Sequence, residues 1–171
     1  MENIGNIFLI GFMGCGKSTV AAKLNQMYGM HVVEMDQIIA DEQGMDLTTL
    51  FHKYGEAYFR DLESDLLKRV VESTEQVVSC GGGVVLRENN VTEMKKNGRI
   101  VLLTAKPESI LTRVIKDDNR PILEGKKNVE DIAALMETRR AKYEAAADIV
   151  VATDDKSIST ICEEIIQRIK R

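Results

Sequence analysis

The chain has 171 residues, with 23 basic and 27 acidic side chains, a net charge of −4 and 44% hydrophobic residues. That balance suits one folded domain with its own core and excludes a disordered, collagen-like or disulfide-scaffold protein. A sequence pI near 5.3 argues against nucleic acid as a partner, because binding it needs a basic surface.

Short apolar runs at 7–11, 31–35, 76–80, 99–104 and 148–152 predict strands, and the stretches between them show helical periodicity. Strands alternating with helices imply an α/β fold whose parallel sheet is covered on both faces. Ligands bind such sheets beyond the carboxyl ends of the strands, so the residues that follow each strand matter most.

The first strand runs into Gly11-Phe12-Met13-Gly14-Cys15-Gly16-Lys17-Ser18, a G-x-x-x-x-G-K-[ST] motif between a strand and a helix. Its glycines let backbone N–H groups turn toward phosphate oxygens, with a helix N-terminus behind them. Lys17 reaches the β- and γ-phosphates and Ser18 offers a hydroxyl to Mg²⁺. Gly14, Cys15, Gly16, Lys17, Ser18 and Thr19 are therefore expected to form the ATP cradle. Cys15 has two readings: an inert small residue tolerated at a variable position, or, near a helix N-terminus and an ammonium, a reactive thiolate protected by nucleotide.

The second strand exit carries Glu34 and Asp36. Alternate positions of a strand share a side, which suits one acid near the metal and one near an acceptor hydroxyl. Asp41-Glu42-Gln43-Gly44 matches D-x-x-G, yet no N-K-x-D run accompanies it, so it reads as a helix end rather than a GTPase signature.

In 58–71, Phe59, Leu62, Leu66, Leu67 and Val70 recur at helical steps, Arg60 flanks the stripe and Glu63 lies on it. Spacing leaves two readings: a surface i,i+3 ion pair, or a carboxylate holding an arginine for a substrate carboxylate. The third strand ends in Gly81-Gly82-Gly83, where bare backbone would let a ligand approach closely.

The segment 113–128 is charged, breaks at Pro121 and Gly125, and reads as a mobile lid that brings an arginine to the transferring group. In 129–144 the helical stripe of Ile132, Leu135, Met136 and Tyr143 includes Arg139, whereas Arg140 falls about 100° away toward solvent. A guanidinium on an inward stripe binds something or needs a buried partner.

Taken together, Gly11 to Thr19, Asp36, Phe59-Arg60-Asp61-Leu62-Glu63, Gly81-Gly82-Gly83, Arg120-Pro121 and Arg139 with Tyr143 resemble the shikimate kinase family over essentially the whole chain. The resemblance implies a three-layer P-loop kinase fold with a central five-stranded parallel sheet and a mobile lid. It implies MgATP-dependent phosphorylation of the shikimate 3-hydroxyl on the route to chorismate. By the same resemblance, helices of about 36–73 bind shikimate, with Asp36 facing its hydroxyl and Arg60 and Arg139 on its carboxylate. Gly81, Gly82 and Gly83 touch it, Phe51 and Phe59 line its pocket, and Arg120 is the lid arginine. Arg113 and the loop 153–156 lie near adenine. The catalytic residues are then Asp36, Lys17 and Arg120.

Two positions depart from the family's pattern. Glu34 replaces a frequent Asp, and the loop 153–156 lacks the nearby proline. The competing readings are another small-metabolite kinase, such as one acting on gluconate, and a nucleotide-binding regulatory domain.

The apolar stretch 7–13 is too short to span a bilayer, and no basic residue precedes it, so neither a membrane anchor nor a secretory signal is expected. Three widely spaced cysteines suit a reducing cytoplasm. The chain is thus expected to be a cytoplasmic monomer of one domain, 1–171, acting on a small molecule.

Overall fold

The structure, a computed structural model, describes residues 3–114 and 128–171. The strands are β1 (Asn6–Ile10), β2 (His31–Glu34), β3 (Gln76–Ser79), β4 (Gly98–Thr104) and β5 (Ile149–Ala152). They form one five-stranded sheet in the order β2-β3-β1-β4-β5, and every pairing is parallel. Each predicted strand is present, its ends shifted by no more than a residue.

All five residues of β1 are buried, as a parallel strand covered on both faces requires. Asn6 is the polar exception. Its Nδ2 donates to Ser73 O at 2.9 Å and its Oδ1 accepts from Gln76 N at 3.1 Å, so the burial leaves no amide group unpaired.

Helices α1 (Lys17–Tyr28), α2 (Met35–Gln43), α3 (Leu47–Tyr54) and α4 (Glu56–Val70) precede β3. Helices α5 (Glu88–Asn97), α6 (Pro107–Val114), α7 (Val129–Ala146) and α8 (Ile158–Ile169) follow it. Helix α1 packs on β1, β2, β3 and α8, while α5 and α7 pack on β4. Helix α2 stops at Gln43, so Asp41–Gly44 is the helix end that the missing guanine motif implied. Among the described residues, no helix is long and apolar enough to cross a membrane.

Strand β1 lies between β3 and β4, so the connections on its two sides lead to opposite halves of the sheet. A crevice opens at its carboxyl end, where Gly11 begins the P-loop.

Candidate active site

Helix α1 starts at Lys17, and its N-cap, Gly16, has no side chain with which to cap the first turn. The N–H groups at this helix start are thereby left to an anion, with the helix dipole reinforcing them. The Lys17 ammonium donates to Gly11 O at 2.6 Å and Phe12 O at 3.4 Å, which holds it over the loop. Ser18 Oγ donates to Glu34 Oε2 at 3.0 Å and lies 3.4 Å from Ser79 Oγ at the end of β3. From α6, Arg113 Nη1 donates to Gly14 O at 2.8 Å. These groups border a cleft of about 410 Å³ whose lining includes Gly14, Lys17, Ser18, Thr19, Asp36 and Gly82.

Cys15 lies on the other side of the loop. Its side chain is 1% exposed and faces an apolar cavity with Leu102, Met136 and Tyr143, and its N–H donates to Phe12 O at 3.2 Å. The backbone of a phosphate loop faces its cleft, so this side chain is turned into the layer beneath. Of the two readings of Cys15, that burial favours the inert one over the reactive thiol.

Asp36 requires a correction. Strand β2 ends at Glu34, and Met35 already begins α2, so Glu34 and Asp36 are not alternate strand positions. Glu34 is the extended N-cap residue and Asp36 belongs to the first helical turn. The helix start, not the strand pleat, aims Asp36 at the cleft, and a carboxylate in a first turn is favoured by the helix dipole.

Helix α4 brings Arg60, 6% exposed, and Glu63, wholly buried, to the same end of the sheet. Arg60 Nη1 donates to Glu63 Oε1 at 3.1 Å, and Arg60 Nη2 donates to Glu56 Oε1 at 3.0 Å. The surface-pair reading of this i,i+3 spacing is thus excluded. The Phe59 ring carries the guanidinium 5.1 Å from its centre and lies 4.9 Å from the Phe51 ring. Burial, opposed by Arg60 and reinforced by Asp36, pushes the Glu63 carboxyl up to about 7.

From α7, Arg139 is 6% exposed, and its Nη1 has no hydrogen-bond partner among the described residues. Arg140, one position on, pairs with Glu137 at 2.9 Å on the exposed face. The Tyr143 hydroxyl donates to Gly82 O, and burial, opposed by Arg139, pushes its phenol up to about 12.

The triple glycine explains how these charges meet. A Cβ on Gly81 would lie 2.6 Å from Glu63 Oε2 and 2.8 Å from Asp36 Oδ1, and a Cβ on Gly83 would collide with the Arg60 guanidinium. The space left by the absent side chains at 81 and 83 holds the protein's own acids and arginine. The sequence alone suggested only room for a ligand. At Gly82 a Cβ would meet Arg139 Nη1 at 3.4 Å.

The loop 153–156 is anchored without a proline. Asp154 accepts from Lys106 N at 2.9 Å and Ser109 Oγ at 2.6 Å, and the Ser109 bond holds its carboxyl below the usual range. Both donors stand at the start of α6, the helix that carries Arg113 to the P-loop. Arg120, Pro121 and most of the expected lid lie outside the described residues. Sequence reasoning missed the Tyr143–Gly82 and Ser18–Ser79 contacts, for which chain spacing holds no signal.

The shikimate kinase family model matches residues 13–170. A shikimate kinase of Persephonella marina is 42% identical over 165 residues, covering 96% of this chain and 99% of its own. The solved shikimate kinase from Acinetobacter baumannii in complex with shikimate superposes with a TM-score of 0.92 at 29% identity, covering 98% of this chain and 93% of that one. The shikimate kinase from Aquifex aeolicus superposes with a TM-score of 0.82 at 34% identity, with 96% of each chain covered.

Proposed function

The chain belongs to the shikimate kinase family, and from that premise we propose that it transfers the γ-phosphoryl group of ATP to the 3-hydroxyl of shikimate. The products are shikimate 3-phosphate and ADP, on the route to chorismate and the aromatic amino acids. One observation carries the reading beyond a generic P-loop kinase. Two buried guanidiniums, Arg60 and Arg139, face a triple-glycine turn at the far end of the cleft that holds Lys17 and Asp36.

In this reading Arg60 and Arg139 bind the acceptor carboxylate, and Gly81, Gly82 and Gly83 form the floor beneath the ring. Asp36 orients the 3-hydroxyl and accepts its proton as the oxygen attacks phosphorus. Lys17 and the N–H groups of 14–19, apart from that of Cys15, which is bonded to Phe12 O, hold the phosphates, and Lys17 exchanges its carbonyl partners for phosphate oxygens. Arg113 stands at the nucleotide end beside Gly14. Arg120, outside the described residues, is assigned to the transferring group on the resemblance alone.

Ser18 and Glu34 bring a hydroxyl and a carboxylate oxygen within hydrogen-bond distance, a donor set of hard oxygens that fits Mg²⁺. Ser18 would hold the ion together with phosphate oxygens of ATP, and Glu34 would orient Ser18. Bound Mg²⁺ neutralises charge on the β- and γ-phosphoryl oxygens. We further read 1–171 as one domain and the protein as a cytoplasmic monomer whose partner is a small metabolite.

The test is a panel of acceptors (shikimate, gluconate, AMP and water) with MgATP, scored by ADP release. Shikimate alone is expected to be fast. Comparable rates with gluconate or AMP would overturn the assignment.

A further inference from the structure

Glu63 sits where a negative charge is hardest to keep. It is wholly buried on the inward face of α4, and its Oε2 has no hydrogen-bond partner among the described residues. The groups that face it are Arg60 on its own helix, Asp36 from α2, Arg139 from α7 and the Cys80 thiol after β3. Glu63 Oε2 and Asp36 Oδ1 crowd the same space over Gly81. Two acids and two guanidiniums thus balance one another around Glu63, while the third carboxylate on Arg60, that of Glu56, stands half-exposed in solvent, where its charge is screened.

An acceptor carboxylate arriving between Arg60 and Arg139 upsets that balance, because two cations then face three anions. Asp36 borders the open cleft and is only half-buried, so solvent moderates its charge. Glu63 has no such relief. An uncompensated buried charge is far costlier than a neutral acid, and a buried carboxyl responds by taking up a proton.

We propose that Glu63 is a positioning residue that gains a proton from solvent as the substrate carboxylate binds. The Glu63–Arg60 ion pair becomes a neutral carboxylic acid beside an arginine whose charge is released to the substrate. One negative charge enters with the ligand and one proton with it, so the net charge of the site is unchanged. The inference rests on the reading of Arg60 and Arg139 as the carboxylate clamp.

The direction of the effect follows from the surroundings. The carboxyl is already pushed up to about 7 by burial, with Asp36 reinforcing and the two arginines opposing. Drawing the arginines onto another anion weakens their opposition and moves it higher. The free enzyme is then largely ionised at Glu63 above neutrality, whereas the complex is protonated there. Affinity for shikimate must fall as pH rises through that window.

The experiment is calorimetric titration of the full chain with shikimate in paired buffers whose ionisation enthalpies differ, HEPES and Tris near pH 8 and MES and Bis-Tris toward pH 5.5. Uptake of about half to one proton per shikimate is expected near pH 8, fading toward pH 5.5, with Kd rising up to about tenfold per pH unit in between. Glu63→Gln should abolish the uptake and flatten the pH profile of Kd. Methyl shikimate, which has no carboxylate, should bind wild-type enzyme without uptake, and this comparison stands even if the Gln variant fails to fold. Shikimate binding with no proton uptake, or uptake that survives in Glu63→Gln, overturns the inference alone. No shikimate binding at all overturns the acceptor reading and the inference with it.

Discussion

Ser18 Oγ donates to Glu34 Oε2 across 3.0 Å, and this hydrogen bond joins the first turn of α1 to the end of β2. The hydroxyl assigned to Mg²⁺ is therefore aimed by a carboxylate from a neighbouring element. Outer partners of this kind typically contribute about 10–100-fold to metal affinity or activity. Glu34→Ala is expected to raise the Mg²⁺ concentration giving half-maximal rate by about that factor, with the KM for shikimate little changed. A titration of initial rate against Mg²⁺ at saturating ATP checks it, and an unchanged midpoint would remove Glu34 from the metal's surroundings.

Asp36→Asn should lower kcat by about 10²–10⁴-fold, the usual contribution of a positioned general base. ATP affinity should hold, because Asp36 approaches the cleft from α2 and not from the phosphate loop. Steady-state kinetics paired with direct measurement of ATP binding separates the two effects. A variant with near wild-type kcat would exclude Asp36 from proton transfer.

Neighbouring arginines of α7 should respond in opposite ways. Arg139 is buried against Gly82, whereas Arg140 pairs with Glu137 in solvent. Loss of a charge-assisted contact costs about 1.5–3 kcal/mol, so Arg139→Ala should raise the KM for shikimate by roughly 10- to 150-fold. Arg140→Ala removes an exposed pair that water screens and should leave KM near wild type. The reverse pattern would show that the clamp is assigned to the wrong residue.

Gly83→Ala adds a single methyl group in the space occupied by the Arg60 guanidinium. Arg60 is held by Glu63 and Glu56 and packed on Phe59, so it has no free direction in which to retreat. Overpacking of this kind typically costs about 1–3 kcal/mol. The expected result is a higher KM for shikimate with the KM for ATP nearly unchanged. Equal effects on both substrates would point to general unfolding instead, which a melting curve would reveal.

Cys15, Cys80 and Cys162 are all buried. Labelling with a thiol reagent should be slow at each of them in the folded enzyme, and nucleotide should make little difference at Cys15. Mass spectrometry of timed samples would detect the contrary case. Rapid, nucleotide-protected modification of Cys15 would mean that the loop opens far enough to turn this side chain outward.

Much of the architecture was legible because its signals are local. Strand-length apolar runs, a phosphate-loop spacing and the helical phase of Arg139 against Arg140 depend only on residues close in the chain. The place of Asp36 after β2 marks it for the site, although a helix start and not a strand pleat sets its direction. Whether Met35 extends the strand or starts a helix is decided by packing of α2 on α4, which one short segment does not encode. The Arg60–Glu63 spacing by itself fits a surface pair equally well, and only the burial of both side chains against Gly81 and Gly83 decides against it. Contacts such as Tyr143–Gly82 join residues 61 positions apart and leave no periodic trace.

Strands β2 and β3 are parallel neighbours, and a single crossover helix is all that such neighbours need. The chain between them instead holds α2, α3 and α4. Two of those three helices are surplus to the topology, and Asp36, Arg60 and Glu63 all ride on this excursion. The phosphate loop hangs from β1 and owes the excursion only the cleft they share. On the acceptor assignment proposed above, one part of that site is carried by a length of chain separable from the phosphate loop, and Arg139 of α7 and the 81–83 turn complete it. Selection can remodel what receives the phosphoryl group, helix by helix, while the strand and loop that deliver it stay as they are.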